Sequence, residues 1–187
     1  MTMPYRESTY SNHFYHVYNR GNNFEPIFFG DENFRFFLRR LIEYFDVKIN
    51  LIAYCLMPNH YHLLVEVLEN AFLQKAMQRL STSYTKAINK NRGRVGHLFQ
   101  GRYKYKLVPN NNYLLHLSRY IHLNPVKAGI VEKPEDWMFS SYKDFVGKRK
   151  SDFLNFEMVL SQLDDYADFV DSFQEEQNYY LRDMLFE

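Results

Sequence analysis

Cysteine is almost absent from this 187-residue chain: Cys55 stands alone. That excludes an intramolecular disulfide and a cysteine-rich metal centre. Cys55 sits in an apolar run and reads as a buried structural thiol. No apolar stretch reaches the roughly 18 residues needed to span a membrane. Met1 to Ser11 is polar and lacks an apolar signal region, so a soluble, cytoplasmic protein is expected. There is no internal repeat, no low-complexity tract and no glycine-rich Walker-type loop to cradle a nucleotide. Acidic residues are missing altogether from Asn70 to Val131.

Positive charge and aromatic rings fill the gap. Net charge is only +1, yet residues 1–149 carry 21 Lys and Arg against 12 Asp and Glu, whereas residues 150–187 carry 2 against 10. The acid-free block holds Lys75, Arg79, Lys86, Lys90, Arg92, Arg94, Arg102, Lys104, Lys106, Arg119 and Lys127. A one-signed block of this kind is the footprint of a phosphate-binding surface, since solvated faces usually mix both signs. Seventeen Phe and sixteen Tyr add planar side chains, most of them needed for the core and some suited to stacking bases.

Hydrophobic periodicity predicts the order of elements. Asn12 to Arg20 alternates as a strand. Asp31 to about Asp46 carries an apolar stripe of Phe34, Phe37, Leu38, Leu41, Ile42 and Phe45 at helical spacing. Val47 to Met57 and the run from His60 to Val67 read as two strands of a hairpin broken at Pro58. Asn70 is placed as the cap of a helix reaching about Lys90. Leu98 to Val108 is a strand in which Arg102, Lys104 and Lys106 alternate with Tyr103 and Tyr105, an interleaving that suits a nucleic-acid groove. A helix from Asn110–Asn112 to about Leu123 stops before Pro125. An amphipathic helix is expected from about Asn155 to Phe173. Strand, helix, strand, strand, helix, strand is the split β-α-β order of a ferredoxin-like α+β fold: an antiparallel sheet with helices on one face, to which the last helix and the tail are additions.

Met57-Pro58-Asn59-His60-Tyr61-His62-Leu63-Leu64-Val65-Glu66-Val67 is the most telling stretch. Alternation puts His60 and His62 on one face with Leu64 and Glu66, and Tyr61, Leu63, Val65 and Val67 on the core side. Two imidazoles about 7 Å apart along a strand can close on one metal ion. Glu66 shares their face and is a candidate to orient an imidazole. In Arg119-Tyr120-Ile121-His122-Leu123-Asn124-Pro125, the Tyr120 phenol and the Asn124 amide lie four apart on one helix face, neighboured by His116. An amide oxygen can ligate a hard cation. A phenol can attack phosphorus once its proton is removed.

The blocks MPNHYHLLVE, LFQGRYK, RYIHLNPVKAG and WMFSSY, in this order, resemble those of the REP-associated tyrosine transposases, relatives of the insertion-sequence transposases. The resemblance spans roughly residues 12 to 146. It implies His60 and His62 as metal ligands, Asn124 as the third ligand, Tyr120 as the nucleophile, and Mg²⁺ or Mn²⁺ as the cofactor. It implies cleavage and rejoining of single-stranded DNA beside hairpins of repetitive extragenic palindromes, through a 5′-phosphotyrosine link. DNA contacts are expected at Arg20, Lys75, Arg79, Arg92, Arg94, Arg102, Lys104, Lys106 and Arg119, with Tyr103 and Tyr105 as base-stacking candidates. Residues 1–149 would form the transposase domain and residues 150–187 an acidic, mostly helical tail. A bacterial, nucleoid-associated location and a monomer using its own tyrosine are implied; the insertion-sequence relatives instead form dimers with exchanged tyrosine helices. A non-catalytic hairpin-binding module and a water-using nuclease are the competing readings.

Overall fold

The computed structural model describes residues 9–172. Four antiparallel strands, β1 (His13–Arg20), β2 (Ile49–Met57), β3 (His60–Val67) and β4 (Lys104–Leu107), lie in the order β2-β3-β1-β4. α1 (Asp31–Phe45) joins β1 to β2, and α2 (Phe72–Arg92) joins β3 to β4. This is the ferredoxin-like plan that the element order predicts. α3 (Asn111–Lys127) and the short α4 (Tyr142–Phe145), α5 (Glu157–Leu160) and α6 (Tyr166–Asp171) follow.

Alternation along β2 and β3 divides the interior into two cores. Tyr54, Leu56, Tyr61, Leu63 and Val65 face α1 and α2, which meet them with Phe34, Phe37, Leu41, Leu73, Met77, Leu80 and Tyr84. Ala53, Cys55, Met57 and Leu64 face the opposite side, where Leu114, Leu117, Ile121 and Tyr120 of α3 pack on them. The sheet is therefore covered on both faces, by α1 and α2 on one and by α3 on the other. Gly21 closes the turn after β1, because a β-carbon there would collide with the Glu25 carbonyl. The outer edge of β2 is also covered: Leu56 N donates to Phe139 O at 2.9 Å, and Asn155 N to Leu51 O at 3.0 Å. Capping this edge removes a template for strand addition. Trp137 anchors the covering segment, its Nε1 donating to Leu56 O at 3.0 Å.

Several local expectations need correction. Asn70 does not cap α2: Ala71 holds the N-cap position at φ 58°, and the Asn70 side chain instead accepts from Ser11 N at 2.6 Å. The strand expected from Leu98 forms only over Lys104–Leu107, with a single bridge at Phe99 to Gly21. α3 does not stop before Pro125 but runs through it to Lys127. Proline there removes one N–H in the last turn, a single lost bond. The true end is set by Gly129 at φ 66°, where Gly129 N donates to Val126 O at 2.9 Å and Ile130 N to Pro125 O at 2.9 Å. The helix expected over Asn155 to Phe173 is two short helices. Asp165 is extended and caps α6 by accepting from Asp168 N at 2.9 Å; Phe173 lies outside the described residues. This acidic segment packs back on the body through buried Leu154, Val159, Tyr166 and Val170.

Candidate active site

The histidine face of β3 is the face that α3 covers. Register aligns Arg20 with His60, Tyr18 with His62 and His16 with Leu64 across β1 and β3. On the far side of β1, Lys104 aligns with Tyr18 and Lys106 with His16. Partners in register project to the same face, so two imidazoles, a third histidine, a tyrosine and three cations share one floor. α3 lays Tyr120 and Asn124 over it.

The two ligand candidates meet edge to face, with ring centroids 5.2 Å apart. The Tyr120 ring stands edge-on to His62 at 5.6 Å and to His16 at 6.5 Å. Asn124 lies between the two halves, and its side chain acts on both, favouring the protonated His60 imidazole and the ionised Tyr120 phenol. Its Nδ2 also donates to Tyr120 O at 2.8 Å, which fixes the amide on its own helix. Lys127 Nζ lies 5.3 Å from the Tyr120 ring centroid.

Burial dominates the electrostatics. It pushes the His60 imidazole down to about 4, with the Asn124 bond opposing and the Arg20 charge adding to the effect. His62 is 0% exposed, and burial drives it well below its ordinary value, helped by the positive forms of His16 and His60. Tyr120 is 9% exposed, and burial pushes its phenol up to about 12, against the Asn124 hydrogen bond. The imidazoles are thus neutral with lone pairs to offer, as metal ligation requires. Two imidazole nitrogens and one amide oxygen form a donor set that suits a divalent ion and brings no charge of its own. Among the described residues no group of three His, Cys, Asp or Glu gathers as a metal site.

The expected DNA contacts fall into three groups. Arg20, Lys104 and Lys106 border the histidine floor, and Arg102 lines a small cavity with Arg20, Lys104 and Tyr18. Lys75, Arg79, Arg92 and Arg94 belong to α2 and the turn after it, on the other side of the sheet. Arg79 lies over Tyr44 at 4.5 Å, Arg92 over Phe29 at 4.3 Å, and Arg94 pairs with Glu25 at 3.4 Å. Arg119 leaves the set: it is 3% exposed, donates to Phe169 O at 3.0 Å and lies 4.2 Å over the Phe169 ring. It fastens α6 to α3, together with His116 at 2.9 Å. Tyr103 is likewise a core residue, 5% exposed and packed toward α2, which removes it as a base platform. Tyr105 is half-buried against Tyr15 at 5.8 Å. Glu66 accepts from Asn50 at 2.8 Å and does not orient a histidine. The nearest polar neighbour of His62 is instead His16, a residue that nothing in the sequence singles out: its Nε2 is 2.9 Å from His62 Nδ1.

Comparison with known proteins bears on the family and the fold. A curated protein of Haemophilus influenzae, named as a REP-associated tyrosine transposase, is 34% identical over 101 residues, which is 49% of this chain and 57% of that relative's length. A solved structure of a REP-associated tyrosine transposase bound to a REP hairpin superposes with a TM-score of 0.66 at 19% identity, covering 84% of this chain and 96% of the other. It shares the fold. Among the described residues no helix is long and apolar enough to cross a membrane. The family model "Transposase IS200 like" matches residues 9–124, from the segment before β1 through the candidate tyrosine to Asn124, and the chain belongs to that family.

Proposed function

We propose that the chain is a metal-dependent transesterase that cleaves and rejoins single-stranded DNA beside a hairpin, with Tyr120 as nucleophile. One observation carries this reading: the Tyr120 ring abuts His62 at 5.6 Å, His62 in turn meets His60 at 5.2 Å, and Asn124 of the same helix is held on Tyr120 O at 2.8 Å. The similarity to a REP-associated transposase bound to a REP hairpin extends the reading to palindromic hairpin DNA as substrate.

His60, His62 and Asn124 would hold Mg²⁺ or Mn²⁺. When bound, such an ion supplies Lewis-acid neutralisation of the scissile phosphate. The chain's own residues do the rest. Tyr120 gives its proton to solvent hydroxide, and its oxygen attacks phosphorus in line. The bond to the 3′ oxygen breaks, and that oxygen takes a proton from water to become a 3′-hydroxyl. The 5′ end remains linked to Tyr120, which preserves the phosphodiester energy for rejoining and needs no nucleotide cofactor. Asn124 stabilises the phenolate by hydrogen bonding, and Lys127 adds positive charge near the ring. Arg20, Lys104 and Lys106 hold the backbone on either side of the scissile bond.

Incubation of the chain with hairpin oligonucleotides and Mn²⁺, followed by a denaturing gel, tests this. A covalent protein–DNA adduct is expected, and Tyr120→Phe should abolish it while hairpin binding persists. Cleavage by Tyr120→Phe at the wild-type rate would favour a water-using nuclease. Binding with neither cleavage nor adduct would leave a non-catalytic hairpin-binding module.

A further inference from the structure

We propose that His16 is the positioning residue for His62: by accepting a hydrogen bond from His62 Nδ1–H, it commits Nε2 of His62 to metal ligation. This rests on the metal-dependent reading of the site. His16 Nε2 and His62 Nδ1 are 2.9 Å apart, in rings stacked at 17° with centroids 5.1 Å apart. Both side chains are fully buried. A neutral imidazole has one N–H and one acceptor nitrogen, so a single proton lies between the two rings. If His16 donates it, His62 carries its own proton on Nε2 and offers no lone pair there. If His62 donates it, the lone pair belongs to Nε2. Only the second pairing is compatible with a His62 ligand.

A metal-ligating histidine usually gives its other N–H to a carboxylate or a backbone carbonyl. Here the carboxylate on the same face, Glu66, is taken by Asn50 at 2.8 Å. A second imidazole takes the place that Glu66 might have filled. It comes from β1, a strand paired on both sides, so its backbone is held by two ladders. Packing alone does not account for the choice of residue. His16 Nδ1 is buried with no hydrogen-bond partner, a cost that phenylalanine of similar shape would avoid. Retaining a polar ring at that cost points to the bond it makes with His62. Lys106 faces His16 from β4, and Tyr18 and Tyr120 complete its surroundings at 4.8 Å and 6.5 Å.

The test is Mn²⁺ binding to the full, DNA-free chain, followed by electron paramagnetic resonance, in wild type, His16→Phe, His16→Gln and His62→Ala. His16→Phe should bind Mn²⁺ about 10- to 100-fold more weakly. His16→Gln, whose amide oxygen can accept from Nδ1–H, should recover most of that affinity. Hairpin binding in chelator should be unchanged in both. A second measurement needs no variant: nitrogen NMR of the wild type with Mg²⁺ should find His62 protonated at Nδ1 and bare at Nε2. A folded His16→Phe that binds Mn²⁺ like wild type, while His62→Ala does not, overturns the role of His16 and leaves the proposed reaction standing. A proton on His62 Nε2 in the Mg²⁺-loaded protein overturns it too. A wild-type chain that binds no Mn²⁺ overturns both.

Discussion

Acidifying the metal-free protein should destabilise it sharply between pH 7.5 and 5.5. His16, His62 and His122 are fully buried. Burial holds His16 and His122 at about 3, with the charges of Lys106 and Arg149 adding to it, and holds His62 well below 6.5. In the unfolded chain each returns to about 6.5. Between about 6.5 and 3 the unfolded state therefore binds more protons than the folded one. The stabilisation is complete above 6.5 and is lost as the pH falls. By pH 5.5 each group has forfeited about 1.4 kcal/mol, and the three together about 4 kcal/mol. Total stabilities run to roughly 5–15 kcal/mol, so the loss is a large fraction. For a chain of this length it lowers Tm by roughly 10 °C. Thermal melts by circular dichroism in chelator, in half-unit pH steps, measure it directly. A Tm constant within a few degrees from pH 7.5 to 5.5 would refute the reasoning, because it would mean that the folded state accommodates protonated histidines at these positions.

Four further outcomes follow from the geometry. The rate of adduct formation should climb from pH 7 to 9, by up to about tenfold per unit, because burial pushes the Tyr120 phenol up to about 12 and the phenolate is scarce; a flat profile would point to an internal base. Arg119→Met should lose about 2 kcal/mol in urea unfolding through its bonds to Phe169 O and His116, with no change in the salt dependence of DNA binding. Lys104→Ala with Lys106→Ala should lower the slope of log affinity against log salt for single strands by about 1–2, whereas Lys86→Ala with Lys90→Ala on α2 should not. Cys55 should resist thiol reagents at pH 8 until the chain is unfolded, because burial raises its thiol well above the ordinary value.

The sheet and its histidine face were readable because period-two alternation is unambiguous from His60 to Val67, and because α1 and α2 carry full apolar stripes. That Tyr120 and Asn124 share one face of α3 was readable from their four-residue spacing, whereas the roles proposed for them come from the resemblance. His16 was not. Its parity within Asn12 to Arg20 was visible, but parity does not reveal which strand lies alongside, and only the β1–β3 register brings it to His62. Tyr103 and Tyr105 illustrate the reverse problem: their alternation with the cations was correct, but the aromatic side of that strand is the one facing α2. Arg119 misled because a charge in a basic block looks solvated until Phe169 is seen packed on it. The end of α3 required the bonding at Gly129 to outweigh the usual effect of Pro125.

α3 leans on β2 and β3, while β1 and β4 extend the same floor sideways to a four-residue margin carrying Lys104 and Lys106. Any approach to Tyr120 from that margin runs along the plane of the sheet and under the flank of a helix. Lys104 and Lys106 stand on that margin, so a backbone arriving there meets two cations before it reaches the phenol. In the proposed reaction, the strand would thus be gripped by charge at one edge of the sheet while the chemistry waits under the helix, whatever its base sequence.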